Sequence, residues 1–311
     1  MWSQHLSTLL QISKLRREIY HGERYPFITW WICNIDLYAL FSGAGRGDFV
    51  GTMLREEMIP PPGFHLYPLG PDGSSIVYAN EINTLPTILQ LNYEVTLIAA
   101  RLGLLAQELR QEAMVNTGKE VGSRQRHYDT RIRLSRVFEL QESLRALWLV
   151  ESVVLIGQQV ESLPIRSKQL FEHVSSLYRA CIIYSHTSMW PLQRLETGPE
   201  FDLEIAHAAS EILVTAERIV NEGRFESRFI IFPLFMAGFA NTDGSQKMMA
   251  LDLMERMEDM SIGSNTRAVR RALGVIFETQ NMLFRNTGTD ITVSWMDCMI
   301  QQGLGVVNFG L

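Results

Sequence analysis

The sequence predicts an all-α fold, a single multi-helix domain of about ten helices over residues 1–311. Three observations carry that expectation. Apolar residues recur at three- and four-residue spacing in one stretch after another. No β-branched, alternating runs lie between those stretches, as an α/β fold demands. Proline and glycine punctuate the periodic stretches where helices stop and start. The chain has 311 residues, 46 % of them hydrophobic, which suffices for a sizeable core and excludes intrinsic disorder. No fixed-period repeat is visible, which argues against a regular solenoid.

The elements follow in order. Residues 2–20 place Leu6, Leu9, Leu10, Ile12 and Leu15 at partial helical spacing, with Lys14, Arg16, Arg17 and Glu18 suited to an outer face. Residues 25–42 are almost continuously apolar, too long for a strand, and read as a buried helix with Pro26 in its first turn. A glycine-rich turn, Gly43 to Gly47, ends it, and a short helix runs on to about Met58. Residues 59–77 hold five prolines and three glycines and form the longest predicted loop. A long helix over 79–116 comes next, then a polar crossover over 117–131, then a helix over 132–158. Leu163-Pro164 marks the start of a helix reaching about Trp190. Helices over 200–222, 228–240, 244–260, 263–284 and 289–302 complete the set, with Pro233 either kinking its helix or lying near its start.

Composition narrows the function classes. The 28 Lys and Arg against 34 Asp and Glu give a net charge of −6, which argues against the basic footprint of a nucleic-acid binder. Cys33, Cys181 and Cys298 are far apart and offer neither zinc spacing nor a disulfide framework, so each reads as a small buried hydrophobe. No apolar run reaches the roughly 18–20 residues of a membrane span. The charged amino-terminal residues do not suit a signal peptide.

The chemical motifs are weak. Gly43-Ala44-Gly45-Arg46-Gly47 lacks the spacing of a dinucleotide fingerprint and the Gly-Lys-Ser/Thr of a phosphate loop, and reads as a helix C-cap and turn. Glu204, His207 and Glu211 share one helix face, and a single Glu-x-x-His cannot make a di-iron site, which needs two. Asp252, Glu255, Glu258 and Asp259 form an acidic stripe accompanied by Lys247 and Arg256, which suits a solvated face. His186 lies in a mostly apolar helix, where a satisfied core histidine is the plain reading. Asp36, inside the buried helix, demands a partner, either N–H groups or an arginine such as Arg16, Arg17 or Arg24. Fourteen Met and thirty aromatic residues exceed what a core alone asks for, and a minority can line an adaptable apolar cavity.

Two segments carry a resemblance. The first runs Glu23-Arg24-Tyr25-Pro26-Phe27-Ile28-Thr29-Trp30-Trp31 through Asp36-Leu37-Tyr38-Ala39-Leu40 to Gly43, Gly47-Asp48-Phe49 and Ile59-Pro60-Pro61. The second runs from Gly223-Arg224-Phe225 through Arg228-Phe229-Ile230-Ile231-Phe232-Pro233-Leu234-Phe235-Met236-Ala237-Gly238-Phe239-Ala240 to Ile262-Gly263-Ser264-Asn265-Thr266 and Arg270. Together they resemble the regulatory middle homology region of fungal binuclear-zinc-cluster transcription factors. The resemblance implies an all-helical regulatory fold and residence in the nucleus, with the cytoplasm as the alternative. The six-cysteine zinc cluster of that family is not in this sequence, so no DNA or metal contact is carried over to any residue.

The resulting expectation is a transcription-factor-like regulatory module without its own DNA-binding domain. It binds an apolar effector, a protein partner or both, and makes no direct DNA contact and no membrane contact. Self-association is left open, and no cofactor or metal is expected. The pocket candidates are Trp31, Phe235 and His186. The alternative is a stand-alone relative recruited as a cyclase- or isomerase-type enzyme acting on a hydrophobic fungal secondary metabolite. Its candidate catalytic residues are His207, Glu204 and Asp36.

Overall fold

The computed structural model describes residues 2–20, 26–62, 79–116, 123–190, 193, 199–223, 229–258, 265–287, 294–304, 307 and 309. Among them are twelve α-helices and no strand. They are α1 (Trp2–Tyr20), α2 (Pro26–Ser42), α3 (Asp48–Arg55), α4 (Leu85–Asn116), α5 (Ser123–Trp148) and α6 (Glu151–Gln158). Then follow α7 (Ile165–Thr187), α8 (Pro199–Asn221), α9 (Ile231–Ala240), α10 (Gly244–Glu258), α11 (Asn265–Thr287) and α12 (Trp295–Gln301). The all-α expectation holds, with one more helix than the element-by-element reading separates.

Two boundaries differ from the sequence reading. The predicted crossover over 117–131 is helical from Ser123 onward, while 117–122 lie outside the described residues. The predicted helix over 132–158 is two helices, broken at Leu149 and Val150. Neither residue is a helix breaker, so the cause is tertiary. Trp148, the last residue of α5, stacks on Tyr178 at 4.2 Å, with the Arg179 guanidinium 5.8 Å over its ring. With α5 pinned there, the chain turns, and Val153 and Ile156 of α6 reach the core. The loop predicted over 59–77 lies mostly outside the described residues, which stop at 62 and resume at 79.

α4 and α7 form the centre of the bundle. α4 packs on α2, α3, α5, α6 and α7, and α7 on α4, α5, α8 and α9. α10 and α11 cover α9 from the far side. One correction to the sequence reading arises here. Leu85–Ala113 of α4 is long and apolar enough, by length and composition, to cross a membrane. Two-thirds (67 %) of its most apolar 18-residue window is buried inside the protein, packed against the surrounding helices.

Aromatic rings tie distant elements together. Phe41 of α2 stacks on Phe232 of α9 at 4.6 Å and meets Tyr184 of α7 edge-on at 4.8 Å. Phe309, near the carboxyl end, contacts Phe232, Phe235 and Trp295 at 5.3, 4.9 and 5.9 Å. Pro233 sits in the first turn of α9, where its missing N–H costs nothing. Gly238 lets α9 approach its cover closely, since a Cβ there would lie 2.8 Å from Leu273 and 3.0 Å from Ala250.

One buried cation lacks a carboxylate among the described residues. Arg110 of α4 donates to Tyr184 Oη at 3.0 Å, to the Leu40 carbonyl at 3.2 Å and to the Met296 sulfur at 3.5 Å. Tyr184 donates in turn to the Phe41 carbonyl at 3.2 Å. The charge therefore rests on the carbonyl end of α2, where the helix dipole is negative.

Candidate functional site

The three predicted catalytic residues do not converge. Asp36 is buried on α2, and its Oδ2 accepts the backbone N–H groups of Phe49 and Val50 at 3.0 and 2.9 Å. Those are two of the orphan donors at the start of α3, so the N-cap of α3 comes from a neighbouring helix. The partners are thus N–H groups, one of the two kinds expected; Arg24 lies outside the described residues. The glycine-rich turn makes the approach possible, with Gly43 and Gly47 both at positive φ (76° and 65°). Asp36 Oδ1 has no hydrogen-bond partner among the described residues. Burial pushes its carboxyl up to about 6, against the pull of the two N–H bonds.

Glu204, on the first turns of α8, is the hub of a polar network. Arg145 of α5 grips it with Nε to Oε1 at 2.9 Å and Nη2 to Oε2 at 2.7 Å, and also donates to Glu142 at 2.6 Å. The His186 Nε2 lies 3.1 Å from Glu204 Oε2. Burial pushes the Glu204 carboxyl up, but the bonds from His186 and Arg145 outweigh it and hold the group at about 2. A carboxylate only accepts, so Nε2 of His186 carries the proton. Its Nδ1 faces the Gln141 amide at 3.4 Å, and that amide also donates to Ser185 Oγ at 2.8 Å. The network fastens the start of α8 to α5 and α7. His207, one turn on, is exposed, and Glu211 is paired with Arg179 at 3.2 Å. No group of three or more metal-ligating side chains occurs among the described residues. The acidic stripe of α10 is drawn to α11: Glu258 accepts from Arg270 and Arg267 at 2.5 and 3.1 Å, and Asp259 lies outside the described residues.

A concavity lies beside this network. A cleft of about 1330 Å³ opens between the first turns of α8, the end of α9, the start of α10 and the middle of α11. α8 supplies Asp202, Leu203, Ile205 and Ala206, and α9 and the corner after it supply Phe239, Ala240, Asn241 and Thr242. α10 supplies Gly244, Lys247, Met248 and Leu251, and α11 supplies Gly274, Phe277, Glu278, Gln280, Asn281 and Phe284. Three large apolar side chains on its walls remain open to solvent: Leu203 at 71 %, Met248 at 63 % and Phe284 at 51 %. Lys247 bridges two walls, donating to Gln280 Oε1 at 2.9 Å and lying 5.3 Å over the Phe277 ring. A smaller hollow of about 490 Å³ lies between α3 and α4.

The pocket candidates read from the sequence stand elsewhere. Trp31 is 37 % exposed on α2, stacked on Phe27 at 6.4 Å. Phe235 is fully buried and meets Trp295 edge-on at 5.3 Å. His186 is buried behind the cleft wall, next to the lining residue Thr187. The lining residues of α8, α10 and α11 escape the sequence reading because an amphipathic face looks the same whether it meets a core or a cleft. One signal was available: Gly274 interrupts an otherwise unbroken helical pattern, Arg271-Ala272-Leu273-Gly274-Val275-Ile276-Phe277.

A family model described as a fungal specific transcription factor domain matches residues 81–309. The match spans α4 to α12 and so includes every wall of the cleft. It contains the second of the two segments quoted for the resemblance, whereas the first, on α2 and α3, precedes it. Neither the curated proteins nor the solved structures gave a match.

Proposed function

We propose that this chain, which belongs to the fungal specific transcription factor domain family, is a regulatory module that takes an apolar effector into the cleft between α8, α9, α10 and α11. Membership of the family supports a role in regulating transcription, for which the nucleus is the proposed place of action. Its net charge of −6 supports control through bound ligand rather than through DNA contact by these residues. The enzymatic reading gains nothing from the geometry, since Asp36 and Glu204 serve helix contacts in separate parts of the bundle.

Gly274 carries the proposal. A glycine inside a helix costs about 0.5–1 kcal/mol relative to alanine. Gly238 offsets that cost by close packing, but a Cβ on Gly274 would meet nothing within 4 Å. Gly274 instead lines the cleft, where its bare backbone leaves a notch in the wall. A notch of that kind suits a ligand that lies against the helix.

The test uses the neutral apolar dye Nile red with the full chain. The expected result is saturable, near-stoichiometric binding with blue-shifted emission, abolished in Gly274→Leu while the far-ultraviolet circular dichroism is unchanged. Native mass spectrometry of freshly purified protein should show the mass of a carried small molecule, lost in the same variant. Absence of dye binding, or binding that Gly274→Leu leaves intact, refutes the cleft as the effector site.

A further inference from the structure

Given the cleft as an effector site, on which this inference rests, we propose that its ligand is an apolar molecule carrying a basic nitrogen. The argument is one of charge complementarity. Asp202 on the α8 wall and Glu278 on the α11 wall both line the cleft and both are exposed. Neither makes an ion pair or hydrogen bond to a described residue. Two other carboxylates of α8 are held by arginines, Glu204 by Arg145 and Glu211 by Arg179. The cleft's cation, Lys247, is engaged with Gln280 and the Phe277 ring. Neither of those partners is charged, so Lys247 offsets one of the two carboxylates and the lining side chains carry a formal charge of −1. Phe239, Phe277 and Phe284 add aromatic surface, which attracts a cation through the ring quadrupole and covers an apolar body at the same time. A carboxylate-bearing ligand would add to that excess negative charge, and a neutral one would leave it without a counter-charge.

The experiment compares three probes with one apolar body: 4-phenylbutylamine, 4-phenylbutan-1-ol and 4-phenylbutyrate. Binding to the full chain is measured by titration calorimetry at pH 7 and low salt. The amine is expected to bind about tenfold more tightly than the alcohol, with the carboxylate weakest. In the Asp202→Asn, Glu278→Gln double variant the amine should fall to the affinity of the alcohol, while the alcohol is unchanged. Raising the salt to screen surface charge should shrink the amine's advantage in the wild type. If Nile red binds but the amine shows no advantage, whether the probes bind equally or not at all, the ligand class is overturned and the cleft reading stands. An amine advantage that persists in the double variant also overturns it. If neither Nile red nor any probe binds, both fall together.

Discussion

Removing the charge of Asp36 should make the protein relatively more stable as the pH rises, the reverse of what deleting a helix cap does. Its carboxyl is pushed from 3.8 up to about 6 because burial outweighs two backbone N–H bonds. Between about pH 4 and 6 the folded chain therefore holds a proton at this site that the unfolded chain has released. The contribution of Asp36 is thus most favourable below about pH 4 and declines as pH rises through about 6. A shift of about two units corresponds to about 3 kcal/mol. Asp36→Asn keeps one oxygen to accept the Phe49 and Val50 N–H groups and removes the ionisation. The difference in unfolding free energy, variant minus wild type, should thus rise by about 3 kcal/mol from pH 4 to pH 7. Urea unfolding followed by circular dichroism at four pH values measures it. Any constant cost of the amide, whose Nδ2 would take the place of the unpartnered Oδ1, cancels in the comparison. A pH-independent difference would refute the assignment of Asp36 as a costly buried charge.

Other perturbations test other contacts. Glu204 has the opposite sign: its depressed carboxyl stabilises the fold above about pH 4.5, and that stabilisation is lost as pH falls to about 2. The shift alone amounts to about 3 kcal/mol, and the 29 % exposure of the side chain reduces it by solvent screening to about 1–2 kcal/mol. Glu204→Gln should cost that much at pH 7 and nothing near pH 2, read from urea midpoints. The two helical glycines should answer alanine differently. Gly238→Ala should lose about 1–3 kcal/mol by overpacking against Leu273 and Ala250, while Gly274→Ala should gain about 0.5–1 kcal/mol, by thermal unfolding. Arg110→Ala should cost about 2–4 kcal/mol through the lost volume and hydrogen bonds. Arg110→Met, which refills the space and removes the buried charge, should cost less than half as much in the same assay, and an equal cost would locate the energy in the charge.

Much of the bundle is legible in the sequence, for reasons specific to each helix. α2 announces itself by an almost continuously apolar run, and Trp30, Asp36, Leu37 and Phe41 are buried, but the expectation that adjacent Trp30 and Trp31 are both covered fails, since Trp31 is exposed. The need of Asp36 for a partner follows from burial alone. Which partner does not, because the donors lie across a turn whose geometry depends on Gly43 and Gly47. The division of α5 from α6 has no local signal, since Leu149 and Val150 are compatible with a helix and the cause is Trp148 docking on Tyr178. The polar stretch after Ser123 reads as a crossover because its apolar residues are sparse, yet it is the first part of α5, whose next turns pair Arg136 with Glu108 and Glu112 of α4.

The candidate site lies at the limit of what a single sequence reveals, and the glycines show why. Gly238 and Gly274 both interrupt apolar helical patterns, and both read as places where something comes close. At Gly238 that something is inside the chain, the Leu273 and Ala250 side chains, so the glycine is explained once the fold is known. At Gly274 the described residues supply nothing within 4 Å, which is why the proposed effector is placed there. Asp202 and Glu278 extend the same logic from shape to charge: what the surrounding described helices leave unfilled and uncompensated at one place is the negative from which the proposed ligand is drawn.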